Sequence, residues 1–174
     1  IEPWEIRRNE GNISDFSVQS DNVYSGANAL QINGVGNYHA IWQILDGFDT
    51  SIPKGAEVTV KGAYFIPANT ELNDLWIRIN EKANGMENLS PHNSIDQFDQ
   101  WQTFEHRLRL MSDPQDREWI SVELFSNVAA GQPIYLDDIF VTIYVEPQEQ
   151  GWPVNAVRLE SDQVITIDGV VTAE

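Results

Sequence analysis

The sequence predicts an all-β domain, an antiparallel β-sandwich or jelly roll of about eight to ten strands. Short runs rich in Val, Ile, Phe, Tyr and Trp recur at short intervals, separated by Gly, Asn, Asp and Pro. Nowhere does a helical apolar period persist for three turns. This many short strands in one domain pack as two stacked sheets over a shared core.

Eight segments have the composition of strands, and together they cover most of the first 145 residues. They lie near residues 13–19, 28–33, 40–46, 56–66, 74–82, 102–110, 118–126 and 133–145. The polar stretch 83–101 is too long for a tight hairpin, so we interpret it as a surface loop.

The composition changes after the last predicted strand. From Glu146 the chain reads Glu-Pro-Gln-Glu-Gln-Gly-Trp-Pro, which is typical of a linker. The run Val-Ile-Thr-Ile at 164–167 then resembles a first strand with no partner after it. We therefore predict a β-sandwich module at residues 1–146, and a linker with the start of a following module at 147–174.

Charge and composition exclude several classes of function. The chain has 10 Lys plus Arg against 27 Asp plus Glu, a net charge of −17. Such a surface cannot neutralise phosphates, so nucleic acid and anionic membranes are disfavoured as partners. The absence of cysteine excludes disulfides and thiol chemistry, and the three histidines lack metal-ligand spacing. We expect a monomer.

Two predicted strands place aromatic and polar side chains together, on the side that faces away from the core. The intervening positions are Leu, Ile or Val, so alternation separates the two sets. Flat rings among planar polar groups suit a sugar, because pyranose C–H groups pack on rings and hydroxyls pair with polar groups. The candidate ligand residues are Trp76, Arg78, Asn80, Trp119, Ser121 and Glu123.

The alternative is that the stretch 83–101 or a neighbouring module covers the two tryptophans of this face. The other tryptophans receive structural roles. We assign Trp4, Trp42 and Trp101 to the core or its lid, and Trp152 to packing beside the linker.

Two adjacent aspartates interrupt the last apolar strand, Ile-Tyr-Leu-Asp-Asp-Ile-Phe-Val at 134–141. Neighbours in a strand point to opposite faces, so Asp137 or Asp138 should point inward. A buried carboxylate costs several kcal/mol unless something compensates it. Because basic side chains are scarce, we expect calcium as the partner; backbone N–H groups or an Arg remain the alternative.

Three stretches, in order, resemble the β-sandwich carbohydrate-binding modules of families 4, 9 and 22, which are galactose-binding-like jelly rolls. They are Val-Tyr-Ser-Gly-Ala-Asn-Ala-Leu-Gln-Ile at 23–32, Gly-Ala-Glu-Val-Thr-Val-Lys-Gly-Ala-Tyr at 55–64 and Tyr-Leu-Asp-Asp-Ile at 135–139. The C-terminal Ile-Thr-Ile-Asp-Gly-x-x-x-x-Glu is similar to the opening of a family 9-type module.

The resemblance implies a structural calcium ion, with Asp137 favoured over Asp138 as the ligand. Further oxygens would come from the turn at 24–28 and from the chain start. The calcium ligands that it implies are Asp137, Asp138, Glu2, Ser25 and Asn28.

The resemblance also implies sugar-binding positions. Family 22 modules have an Arg soon after the first Trp, a place filled here by Arg7 or Arg8, and an aromatic residue matched by Tyr38. Their Tyr-x-Glu motif is matched by Glu123, whereas Ser121 stands in place of the Tyr.

We therefore expect a non-catalytic carbohydrate-binding module that holds an attached polysaccharide-degrading enzyme on a plant or marine polysaccharide of β-glucan or xylan type. It would belong to a secreted or cell-surface bacterial protein, with neighbouring modules as its other partners. The alternatives are a structural spacer or adhesion module without ligand and, less favoured, a jelly-roll glycoside hydrolase or lyase. Catalysis is disfavoured because Asp137 and Asp138, on opposite faces, could not act as a pair.

Overall fold

The computed structural model describes residues 5–8, 15–45, 52–92, 97–146 and 164–166, the first and last ranges by their backbone only. These residues contain eleven strands and no α-helix, which confirms the predicted all-β class. Ten of the strands lie within the predicted module, 1–146. No helix in the described ranges is long and apolar enough to cross a membrane.

Most of the strands form in the short apolar runs that the sequence identified, with polar turns between them. The strands at Glu5–Arg8 and Met86–Leu89 lie outside those runs. In chain order the strands are β1 (Glu5–Arg8), β2 (Phe16–Gln19), β3 (Ala29–Asn33), β4 (Tyr38–Ile44), β5 (Glu57–Phe65), β6 (Leu72–Ala83), β7 (Met86–Leu89), β8 (Trp101–Arg109), β9 (Arg117–Val128), β10 (Pro133–Tyr144) and β11 (Val164–Thr166).

The strands pair antiparallel in two sheets. The first sheet has the order β1-β4-β9-β6-β7, and the second has the order β2-β3-β10-β5-β8. Strand β11 pairs with β10 at Phe140–Thr142, beyond the stretch that β3 occupies. The start of a following module stays a prediction, because most of residues 147–174 lies outside the described ranges.

Alternate residues of both sheets fill the space between them. The predicted inward positions of β6 and β9 are buried, including Ile77, Ile79 and Val122. They meet the inward side chains of the second sheet, such as Val60 and Leu136, which are fully buried. Burial of these apolar side chains drives the two sheets together. The outer face of each sheet is then available to polar and aromatic residues.

The stretch 83–101 is not one surface loop, and that prediction is wrong. Asn84 and Gly85 adopt positive φ angles of 51° and 76°, and Ala83 pairs with Met86 across them. An Asn-Gly pair of this geometry makes a two-residue hairpin whose twist matches that of the strands. The hairpin adds β7 to the edge of the first sheet.

A β-bulge interrupts β10 at the two aspartates. The register with β5 shifts between Asp137 and Phe140, and Asp138 has a φ of 50°. The extra residue breaks the alternation, so Asp137 and Asp138 do not point to opposite faces. Asp137 lies at the outer side of the second sheet, two residues after Tyr135, and is fully buried beneath the 24–28 turn.

Candidate functional site

The outer face of the first sheet brings together residues from its three central strands. The registers of β4, β9 and β6 align Trp42, Glu123 and Arg78 in one row across the face. Trp42 therefore lies on this face, half-buried, and its assignment to the core or its lid is wrong. Trp4 and Trp152 lie outside the described residues.

Four further rows of the same face contain the remaining predicted residues of β6 and β9. They are Tyr38–Asn127–Asp74, Ala40–Phe125–Trp76, Ile44–Ser121–Asn80 and Trp119–Lys82. The period-2 alternation thus places the six predicted side chains on one face, beside Trp42 and Tyr38.

Glu123 is the centre of a hydrogen-bonded group that we call the Glu123 cluster: Glu123, Arg78, Asn80 and Ser121. Arg78 Nε donates to Glu123 Oε2 at 2.8 Å. Asn80 Nδ2 and Ser121 Oγ donate to Glu123 Oε1 at 2.8 and 3.2 Å. Both carboxylate oxygens are therefore held in fixed positions, which orients the polar groups before any ligand arrives.

The cluster is less exposed than its outward position suggests. Glu123, Asn80 and Ser121 are fully buried, whereas Arg78 keeps 12% of its side chain exposed. The larger Trp42 and Arg78 are the cross-strand neighbours of Glu123 on its two sides. The alternation of the strands therefore predicts on which side of the sheet these residues lie. How far they are exposed depends on the larger side chains beside them, Trp42 and Arg78.

Two cations lie over aromatic rings of this face. The Arg78 guanidinium is 4.5 Å from the ring centre of Phe125 and 5.9 Å from that of Trp76. Lys82 Nζ is 4.3 Å from the ring centre of Trp119. Such contacts hold the rings and cations in defined positions.

The aromatic side chains form two groups on either side of the cluster. Trp76 packs near Tyr38 and His92, with ring centres 6.1 and 5.1 Å away. Trp42 and Trp119 meet edge to face at 5.3 Å. Tyr38 is itself held, because its hydroxyl donates to Asp74 Oδ2 at 2.6 Å.

Two buried polar atoms of this face have no hydrogen-bond partner among the described residues. They are the acceptor Asn80 Oδ1 and the donor Trp119 Nε1. Buried polar atoms of native proteins are nearly always paired, so each unpaired one needs an explanation. Both atoms are shielded from solvent, so a ligand hydroxyl could pair with them only after neighbouring side chains move.

Arg8 is the last predicted sugar-binding residue. Its backbone pairs with Ala40 at the end of β1, which is an edge strand of the same sheet. The side chain of Arg8 lies outside the described part of the chain, so its role stays a prediction.

The predicted calcium residues converge on a different place, the bulge of the second sheet. Asp137 Oδ2 accepts the backbone N–H groups of Tyr24 and Ser25 at 2.8 and 3.1 Å. Its Oδ1 accepts the N–H of Asp138 at 2.8 Å, and Ser25 Oγ donates to Asp138 Oδ2 at 2.7 Å. Backbone N–H groups, the alternative to a cation, thus offset at least part of the buried charge.

The rest of the calcium ligand set is less well defined. Asn28 ends the same turn just before β3, and Glu2 lies outside the described residues. Within the described part of the chain, no three His, Cys, Asp or Glu side chains cluster as metal ligands. A calcium site here would therefore depend on Asp137, Asp138, backbone carbonyls and groups that the structure does not describe.

No family model matches the sequence, and no curated protein matches it. Solved structures do. The CBM22-1 xylan-binding domain from Paenibacillus barcinonensis Xyn10C is 17% identical, with a TM-score of 0.59; the match covers 80% of this chain and 85% of that domain. The C-terminal family 22 carbohydrate-binding module of Clostridium thermocellum Xyn10B is 15% identical, with a TM-score of 0.52 and 86% of each chain covered.

A third similar structure is TmCBM61 in complex with β-1,4-galactotriose. It is 16% identical with a TM-score of 0.51, and the match covers 81% of this chain and 88% of that one. At these identities the comparisons show the fold alone. The predicted resemblance to β-sandwich carbohydrate-binding modules is thereby confirmed at the level of fold.

Proposed function

We propose that this chain is a non-catalytic carbohydrate-binding module that binds an uncharged polysaccharide on the outer face of its first sheet. The observation that carries the proposal is the Trp42–Glu123–Arg78 row with its flanking aromatics. Rings for the sugar faces and fixed polar groups for the hydroxyls meet there. Modules of the same fold are described as xylan-binding, and one binds β-1,4-galactotriose.

The arrangement of carboxylates favours binding over cleavage. Among the described side chains that β6 and β9 place on this face, Glu123 aligns with Arg78, and Asp74 aligns with Asn127, four residues farther along β9. At about 3.3 Å per residue their strand positions are about 13 Å apart. A glycosidase pair needs about 5 to 9.5 Å, and both oxygens of Glu123 already accept hydrogen bonds.

The module would serve an attached polysaccharide-degrading enzyme outside the cell, where its substrate is found. A xylan or β-glucan chain is uncharged along its backbone, which suits a protein chain with a net charge of −17.

Affinity electrophoresis in soluble xylan, β-1,4-galactan and mixed-linkage β-glucan tests the proposal. We expect retardation by at least one of them, with a Kd in the micromolar to millimolar range, or about −4 to −8 kcal/mol. Trp42→Ala, Trp76→Ala and Trp119→Ala should each weaken retardation about tenfold, because each removes ring area from the ligand face. Tyr144→Ala is the matched control, an exposed aromatic at the far end of β10 in the second sheet.

Retardation that is equal in the parent and in all three tryptophan variants would exclude this face. Reducing-sugar release from any polysaccharide that binds would overturn the non-catalytic assignment.

We also propose a structural calcium ion at the bulge of β10. Its support is that Asp137 and Asp138 converge on the turn at Ser25, and that neither forms an ion pair with Lys or Arg among the described residues.

A further inference from the structure

The outer face of the second sheet carries an aromatic row of its own. The registers of β10, β5 and β8 align Tyr135, Phe65 and Trp101 across neighbouring strands. Their ring centres are 6.0 and 5.7 Å apart. Tyr24 extends the row from the turn before β3, at 5.6 Å from Trp101. We call these four residues the Trp101 row.

Two contacts fix the end of the row that Trp101 and Tyr24 form. The indole Nε1 of Trp101 donates to Asn22 Oδ1 at 3.2 Å, which sets the orientation of its ring. The backbone N–H of Tyr24 donates to the buried Asp137, which anchors the turn. The side chain of Tyr24 is nevertheless 46% exposed. An exposed ring on an anchored turn costs little entropy when a ligand packs on it.

A cavity of about 500 Å³ opens beside Tyr24 on the same face. That volume is comparable to those of small-ligand sites, although the cavity is open rather than enclosed. Its polar lining includes Thr103, Asp138, Lys61 and Glu105, so donors and acceptors surround one exposed ring. Lys61 and Glu105 pair with each other at 3.0 Å, which leaves the lining with no unbalanced cation for an acidic ligand.

We propose that the Trp101 row and this cavity form a second polysaccharide-binding surface for an uncharged pyranose chain. The choice of ligand rests on the proposed function, whereas the surface rests on its own residues. A protein partner fits less well, because a stable interface covers about 800 Å² per partner and here a single strongly exposed ring lies beside a polar cavity.

The two surfaces lie on opposite sides of the sandwich, since the packed core separates the sheets by about 10 Å. One short oligosaccharide cannot touch both. A monomeric module would therefore be divalent, and it would link two polysaccharide chains or two segments of one chain. A module with a single surface could not do so.

Indole N–H resonances, assigned with Trp→Phe variants, provide the test. The ¹⁵N-labelled chain is titrated separately with xylohexaose and with β-1,4-galactotriose. We expect at least one of them to shift the signal of Trp101. The same oligosaccharide should shift signals from the outer face of the first sheet (the first face), such as that of Trp119. Tyr24→Ala should weaken the titration of Trp101 about tenfold and leave that of Trp119 unchanged. Tyr144→Ala, which removes an exposed ring from the same sheet, should change neither.

Each outcome separates this surface from the proposed function. Shifts at Trp119, Trp42 and Trp76 without any at Trp101 would overturn the second surface and leave the first. Shifts at Trp101 alone would support the second surface and overturn the first. No shift with either oligosaccharide would overturn both. A Trp101 signal that moves with protein concentration in the absence of sugar would mean that this face binds a second copy, which also overturns the proposal.

Cross-linking of polysaccharide chains by a divalent module gives an independent readout. A divalent parent should raise the turbidity or viscosity of the soluble polysaccharide that retards it, and Tyr24→Ala should abolish this rise while it still binds through the first face. Binding by the parent without any such rise would count against two surfaces.

Discussion

Two carboxylates, one on each sheet, are fully buried near the outer faces, and their charges are compensated in different ways. Glu123 of the first sheet depends on side chains, the guanidinium of Arg78 and the polar groups of Asn80 and Ser121. Asp137 of the second sheet depends on three backbone N–H groups. Side-chain partners can change with one substitution or turn toward a ligand, whereas backbone partners are fixed by the fold. The first arrangement therefore suits a binding surface, and the second suits a structural anchor.

Among the variants that test this comparison, Arg78→Met should have the largest effect on stability. It removes the cation from a buried carboxylate, and we expect the free energy of unfolding to fall by about 3 kcal/mol. Urea denaturation measures the change. The matched control is Arg107→Met, because Arg107 pairs with Glu105 and Glu57, at 2.5 and 3.2 Å, on the outer face of the second sheet with 59% of its side chain exposed. The control should leave stability nearly unchanged.

Equal losses in the two variants would mean that burial does not distinguish these ion pairs. No loss in Arg78→Met would mean that Asn80 and Ser121 suffice to hold Glu123.

Calcium removal tests whether backbone N–H groups are sufficient for Asp137. If a calcium ion also binds there, calcium at about 100 times its Kd adds about 2.7 kcal/mol, because only the folded chain binds it. For a chain of this length, EDTA should then lower the Tm by roughly 5–10 °C, and added calcium should restore it. Asp137→Asn, which keeps the shape but removes the charge, should abolish the response.

An EDTA-treated sample that melts like the untreated one, with no metal by elemental analysis, would leave Asp137 to its N–H partners alone.

The two buried histidines predict a smaller, pH-dependent effect that arises inside the sandwich. Burial lowers the pKa of His39 below 6.5, against the opposing charge of Asp15. Burial also lowers the pKa of His106 below 6.5, and the charge of His92 adds to this shift. The unfolded chain then takes up protons first as the pH falls through 6.5, so stability should fall below that pH.

Urea midpoints at pH 7.5, 6.0 and 5.0 measure this slope. A His39→Leu, His106→Leu double variant should flatten it, because no buried imidazole remains to be protonated. A slope that is unchanged in the double variant would assign the pH dependence to the carboxylates instead.

The sequence predicted the fold and the faces because both follow from local alternation. The inward Ile and Val residues of β6 and β9 alternate with Trp76 and Glu123 strictly enough to separate core from surface. Trp42 was missed because its strand, Tyr-His-Ala-Ile-Trp-Gln-Ile, is apolar at nearly every position and shows no clear period. The hairpin at Asn84 and Gly85 could have been found, since Asn-Gly between strands is a strong turn signal.

The sequence by itself determined most of the strands, which side chains of β6 and β9 face the core, and that an aspartate at 137 or 138 needs a partner. Only the tertiary structure decided that Glu123 is buried beside Trp42, that a bulge directs both aspartates to one turn, and that Trp101 joins a row on the second sheet. The physical reason is that alternation is a property of one strand. Register, bulges and cross-strand neighbours exist only once separate strands have paired.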